Sequence, residues 1–149
     1  MTSGRDNCIY MNDSMKLIIN TDGGARGNPG PAGIGVVIRD AETGETLEEH
    51  ADYLGETTNN QAEYHAVIKG LTRAVALKSS DVEVVTDSEL VVKQANGEYR
   101  VKNPDLAQRF LEMRNLCTRI GRVRFRHVRR EMNTRADELS NVAMDKGQK

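Results

Sequence analysis

The chain has no tryptophan, only two phenylalanines and four tyrosines, two cysteines and three prolines among its 149 residues. It contains no internal repeat, no low-complexity linker, and no apolar run near the roughly 20 residues that span a bilayer. A membrane partner is therefore not expected. The cysteines, Cys8 and Cys117, are too few for a disulfide framework and lack metal-ligand spacing. Free thiols are the expectation, with a bridge to the N-terminal segment as the alternative. Residues Met1 to Ser14 are polar and lack the apolar stretch of a secretory signal, which predicts a loose tail before one domain over 15–149, in a cytosolic, monomeric protein.

With 38% apolar and 29% charged residues, the composition fits a globular domain large enough to bury a core and too short for two. The charge is unevenly placed. Residues 1–99 hold 8 Lys/Arg against 16 Asp/Glu, whereas residues 100–149 hold 13 against 6, so a net charge of −1 conceals an acidic and a basic part. That distribution suits an acidic cation site beside a basic surface for a polyanion, and equally a set of solvated charged faces.

Hydrophobic periodicity orders the elements. Lys16–Asp22 is a β-branched run ending in a glycine-rich turn, Gly35–Arg39 continues a hairpin, and Glu45–Leu54 gives a third strand of poor alternation. Val67, Leu71, Ala74 and Val75 recur at helical spacing within a helix from about Asn60 to Leu77. A short strand, Val82–Asp87, precedes a helix through Leu90, Val91 and Ala95 that stops near Gly97. Asn103-Pro104 opens a helix with an apolar stripe at Leu106, Phe110, Met113 and Leu116 or Cys117. Arg122–Val128 alternates as a strand, and a last helix starts near Thr134. The order β-β-β-α-β-α-α-β-α predicts an α/β domain with a mixed five-stranded sheet flanked by about four helices.

Four carboxylates occupy suggestive places. Asp22 and Asp87 end two apolar strands, where ligand sites of open α/β sheets tend to lie. Glu63 precedes Val67 by four residues and Leu71 by eight, so it shares the helix face of the core stripe and needs a partner there, for which a bound cation is the natural candidate. Each acid alone also fits a structural role. Asn60-Gln61-Ala62-Glu63 and Thr134-Arg135-Ala136-Asp137 both read as helix N-termini with a capping acid at the third position, and Asp22 and Asp87 as turn residues. The glycine-rich segment from Asp22 to Gly33 reads as a long hairpin turn; it fits neither the dinucleotide fingerprint nor the phosphate loop, and no small-molecule cofactor is expected.

Taken together, Asp22-Gly23-Gly24 with Asn28-Pro29-Gly30-Pro31-Ala32-Gly33, then Thr57-Thr58-Asn59-Asn60-Gln61-Ala62-Glu63, then Thr86-Asp87-Ser88, then Asn133-Thr134-Arg135-Ala136-Asp137-Glu138-Leu139 resemble ribonuclease H type 1, in order and at family-like spacing, from about Met15 to Ala143. The resemblance implies that Asp22, Glu63, Asp87 and Asp137 hold two Mg²⁺, with Mn²⁺ as a substitute, for hydrolysis of the RNA strand of an RNA–DNA hybrid to 5′-phosphate and 3′-hydroxyl ends. It implies further that Asn28, Asn59, Asn60 and the backbone near Gly24 and Ala25 reach the minor groove, where the 2′-hydroxyl distinguishes RNA. Thr58 matches a position gripping a phosphate of the DNA strand. A nuclease for another structured nucleic acid and an inactive nucleic-acid-binding module are the alternatives; the asparagine-rich motif disfavours the first and the retained acids the second.

The chain departs from the family pattern in three places. Glu56 stands where many members have Arg, so a weaker hold on the DNA strand is expected. Only Gly97–Asn103 separates the middle helices in place of a basic protrusion, with Tyr99, Arg100 and Lys102 as partial substitutes. The loop carrying a catalytic His in many members is shortened to Arg129–Asn133, where Arg129 or Arg130 is the candidate for phosphate contact or product release, and His127 belongs to the preceding strand. These features resemble the archaeal and plant-like subgroup.

Overall fold

The computed structural model describes residues 15–147; the expected tail Met1–Ser14, Cys8 within it, and the last two residues lie outside the described residues. Five strands, β1 (Lys16–Ala25), β2 (Gly30–Asp40), β3 (Thr46–Thr57), β4 (Asp81–Thr86) and β5 (Arg122–His127), form one sheet in the order β3-β2-β1-β4-β5. β1 pairs antiparallel with β2 and parallel with β4, and β5 extends the parallel half. Helices α1 (Asn59–Ala76), α2 (Glu89–Ala95), α3 (Pro104–Ile120) and α4 (Thr134–Gly147) complete the expected order. Among the described residues no helix is long and apolar enough to cross a membrane.

Period-two alternation divides β2 between two cores. Ile34, Val36 and Ile38 join Leu17, Ile19, Tyr64, Val67 and Leu71 in the main core beneath α1, while Val37 packs with Ala136 and Leu139 of α4 in a smaller cluster. Side-chain caps set where the helices begin. Thr58 Oγ1 accepts from the Gln61 amide, Ser88 Oγ from Val91, and Asn103 Oδ1 from Asp105 and Leu106, with Pro104 in the first turn where its missing N–H costs nothing.

The glycine-rich segment departs from the sequence expectation. Rather than forming a long turn, its two ends are strand: Asp22 pairs with Gly35, Gly23 with Ile34, Gly24 with Gly33 and Ala25 with Ala32, leaving only Arg26–Pro29 as the connection. β3 likewise runs beyond the expected Leu54 to Thr57, bringing the chain to the start of α1. The glycines are required by packing. A Cβ on Gly23 would lie 2.2 Å from the Ala62 carbonyl oxygen of α1, and one on Gly35 would lie 2.0 Å from the Ala136 carbonyl oxygen of α4. Both helices thus rest on bare backbone either side of Asp22, one from each face of the sheet.

Gly35→Ala must displace α4 as a rigid body, because the obstructing atom is backbone. The expected cost is about 1–3 kcal/mol or more, read as a lowered midpoint of urea unfolding; an unchanged midpoint would show that α4 does not seat as described.

Candidate active site

One cleft of about 460 Å³ is lined by Asp22, Glu63, Asp87 and Asp137, together with Gly24, Ala25, Asn59, Arg130 and Ser140. Its position follows from the sheet. Parallel pairing of β1 with β4 ends at Thr21 and Thr86, so Asp22 is the first residue of β1 beyond that pairing and Asp87 directly follows β4. Asp22 therefore does not end its strand, as expected from sequence, but sits where β1 loses one of its two neighbours. α1, seated at Gly23, presents Glu63 immediately after the contact residue Ala62; α4, seated at Gly35, presents Asp137 immediately after Ala136.

The capping alternative fails for Glu63. Thr58 is the cap and α1 starts at Asn59, which places Glu63 in the second turn with its Oε1 accepting from Ser88 Oγ at 2.9 Å. α4 starts at Thr134 and the Asp137 amide already donates to the Asn133 carbonyl oxygen, so Asp137 lies at the fourth helical position rather than the third.

The acids crowd one another. Burial, followed by the neighbouring Asp87 and Asp137, raises Asp22 from 3.8 to about 7 against the opposing effect of a hydrogen bond from Ser140. Burial likewise raises Glu63 from 4.5 to about 7, with Asp87 and Asp22 adding to it and the Ser88 hydroxyl opposing. Two arginines line the cleft: Arg26, paired with Asp145 at 2.7 Å, and the exposed Arg130, whose Nε lies 3.6 Å from Asp87 Oδ2. Among the described residues no three His, Cys, Asp or Glu side chains close a metal cage. An all-carboxylate, open donor set of this kind suits a hard cation whose remaining positions are filled by water and substrate oxygens, the usual manner of Mg²⁺.

Beside the cleft a second groove of about 510 Å³ is lined by Asn28, Thr58, Asn60, Asn103 and Arg109 among others. The β1–β2 turn and the start of α1 are tied together at this border: Asn59 Oδ1 accepts from the Ala25 amide at 2.7 Å, and Asn28 Oδ1 accepts from the Asn59 amide at 3.1 Å. Both side chains thereby spend their acceptor on the scaffold and keep an NH₂ donor for a ligand.

The remaining candidates separate. Arg130 enters the cleft, in a 3₁₀ turn over Arg130–Met132, whereas Arg129 precedes that turn, exposed and outside the cleft. Tyr99, Arg100 and Lys102 line a different groove with Phe110, Tyr99 lying under the Lys93 ammonium at 5.0 Å. None of the three reaches the acids. His127 ends β5, exposed, and does not line the cleft.

Sequence reasoning misses four contributors. Ser88 and Ser140 each donate to an acid, at 2.9 Å to Glu63 and 2.6 Å to Asp22. Asn133, fully buried, donates to the Thr21 carbonyl oxygen and accepts from Asn20, fastening the start of α4 to β1 one residue before Asp22. Arg109, on α3, brings a guanidinium into the Thr58 groove, its Nε 2.8 Å from Glu112 Oε1 as an ion pair outside hydrogen-bond geometry. Ser140 lies three residues after Asp137, a helical-face signal that could have found it.

Comparison with known proteins agrees with this geometry. A family profile described as "Reverse transcriptase-like" matches residues 20–143. The chain is 44% identical over 131 residues to the "Bifunctional protein Rv2228c" of Mycobacterium tuberculosis, covering 88% of this chain and 36% of that protein, so it spans about a third of that relative. It is 42% identical over 124 residues to "Ribonuclease HI" of Halobacterium salinarum, covering 83% of this chain and 62% of the relative. Among solved structures, LC11-RNase H1 in complex with RNA/DNA hybrid superposes with a TM-score of 0.84 at 50% identity, covering 89% of this chain and 99% of that one.

The crowding has a measurable signature. Asp22 and Glu63 fold with pKa near 7, above their ordinary 3.8 and 4.5, so between those limits the folded chain binds more protons than the unfolded chain. Their favourable contribution is full below about pH 4 and is lost as pH rises through about 7. In chelator, Asp22→Asn should be more stable than the wild type at pH 8, by on the order of 2–4 kcal/mol, with the gap closing toward pH 4. Glu48, held down to about 2 chiefly by its hydrogen bond from Arg73, works in the opposite sense but is common to both proteins. A gap independent of pH would contradict the assignment.

Proposed function

The chain belongs to the type 1 ribonuclease H family, and on that footing we propose that it is an endoribonuclease hydrolysing the RNA strand of RNA–DNA hybrids. The convergence of Asp22, Glu63, Asp87 and Asp137 in one cleft bordered by asparagine donors is the observation that carries this reading. The chemistry supplied by two bound Mg²⁺, or Mn²⁺ in their place, is activation of an attacking water and stabilisation of the leaving 3′ oxygen, which gives 5′-phosphate and 3′-hydroxyl ends.

The protein's own residues then have distinct tasks. Asp22, Glu63, Asp87 and Asp137 would hold the cations, and the burial of Asp22 and Glu63 limits competition from bulk water. The NH₂ groups of Asn28, Asn59 and Asn60, with the backbone near Gly24 and Ala25, donate to 2′-hydroxyls and base edges across the minor groove, which selects RNA by sugar and shape rather than by sequence. Thr58 borders the groove for the DNA strand. There Arg109 of α3 supplies the cation that Glu56, on β3, does not. Arg130, already beside Asp87, is the cleft residue suited to a phosphate of the substrate or product.

Incubation with labelled RNA–DNA hybrid, RNA duplex and DNA duplex tests the proposal. Cleavage of the hybrid with Mg²⁺, abolished by chelator and by Asp22→Asn, is the expected result; cutting that survives chelator, or no cutting of hybrid, would refute it. For the neighbouring groove, Arg109→Ala should raise KM for hybrid with little change in kcat and make the salt dependence of binding shallower by about one phosphate contact. An unchanged salt slope would remove Arg109 from the substrate surface.

A further inference from the structure

Ser140 lies on α4, 118 positions from Asp22 in sequence and 1% exposed, with its Oγ 2.6 Å from Asp22 Oδ2 and 2.9 Å from the Asp137 carbonyl oxygen. A serine hydroxyl has one proton and must choose between these acceptors. The shorter contact falls in the range of a charge-assisted O–H···O⁻ bond, and the longer one is an ordinary contact of a helical serine with the preceding turn. The proton therefore belongs to Asp22. Asp22 is itself only 7% exposed and lies among like charges, so a donor that favours its ionised form acts where water cannot.

The geometry points to Ser140 as a positioning residue for the metal-binding acids: its hydroxyl fixes the Asp22 carboxylate through Oδ2 and ties Asp22 to the helix that carries Asp137. This rests on the reading of the cleft as a divalent-metal site. Three observations on different elements converge on it. Ser140 and Asp137 are three residues apart and share a face of α4, so one rigid turn sets the distance from Asp22 to Asp137. The seat at Gly35, which pairs with Asp22 in register, brings the Ser140 amide within 2.8 Å of where a Cβ would stand, so the hydroxyl reaches the carboxylate only because β2 is bare there. Ser88 treats Glu63 in the same way from the other face, giving its proton to Oε1 while its oxygen caps α2. Two of the four acids are thus each held by one serine that belongs to the segment of another acid: Asp22 by Ser140, one turn after Asp137, and Glu63 by Ser88, directly after Asp87.

Calorimetric titration with Mn²⁺ of the whole chain, without nucleic acid, separates this role from simple packing. Ser140→Ala is expected to weaken Mn²⁺ binding by about tenfold or more, to lower kcat on hybrid, and to leave KM for hybrid unchanged; Ser140→Thr, which keeps the hydroxyl, should return both toward wild type. Wild-type Mn²⁺ affinity in Ser140→Ala would overturn the role of Ser140 while leaving the metal site standing. Equal loss in the Ala and Thr variants would overturn it in favour of packing. Failure of the wild type to bind Mn²⁺ would overturn both this inference and the function on which it rests.

Discussion

Two helices meet the sheet at glycines on opposite faces, Gly23 beneath α1 and Gly35 beneath α4, and the site depends on that approach. A side chain at either position would hold its helix away by the width of a methyl group or more. Glu63 and Asp137 each follow the very residue whose carbonyl touches the glycine, so the distance of each acid from Asp22 is set by backbone contact rather than by flexible side chains. β1, which carries Gly23 and pairs with Gly35 through Asp22, is the strand that changes partner, pairing antiparallel on one side and parallel on the other. Asp22 stands where the parallel partner ends and space opens.

Such placement has an electrostatic consequence. Four carboxylates with Asp22 and Glu63 largely buried repel each other, and the protein answers with single hydroxyl donors and one exposed arginine rather than with a buried cation. Uncompensated charge of this kind is costly inside a protein, so its retention marks a site that is completed by something else. The neighbouring surface has the opposite character. Asn28, Asn59 and Asn60 present donors, Arg109 and Arg130 bring positive charge, and the arrangement as a whole suits a polyanion laid across an acidic notch.

Much of this is legible in the sequence, for identifiable reasons. The element order follows from the β-branched apolar runs at Lys16–Ile19 and Val82–Val85 and from the 3.6-residue recurrence of Val67, Leu71 and Ala74, because local burial alone produces those patterns. The four acids are legible as a set, since each keeps a distinctive local context. What escapes is what depends on distant partners. Gly23 reads as a turn residue although it is strand, and Gly35 reads as strand without marking itself as the seat of a helix, because the demand for a missing Cβ comes from Ala62 and Ala136, distant in sequence. Thr58 rather than Asn60 caps α1, a shift of register that periodicity cannot fix to the residue. Ser140 looks like an ordinary polar residue within a helix and Asn133 like one at a helix start until folding brings them against β1, and Arg109 looks like any solvated arginine on an amphipathic helix.

The central claim is that a divalent cation takes the place the crowded acids leave. The direct measurement is the thermal unfolding midpoint at pH 8 as Mg²⁺ is titrated, for the wild type and for Asp22→Asn. A ligand that binds only the folded state raises the midpoint in a saturable way. The account predicts such a rise for the wild type and none for Asp22→Asn; a wild-type midpoint indifferent to Mg²⁺, or an equal rise in both proteins, would contradict it.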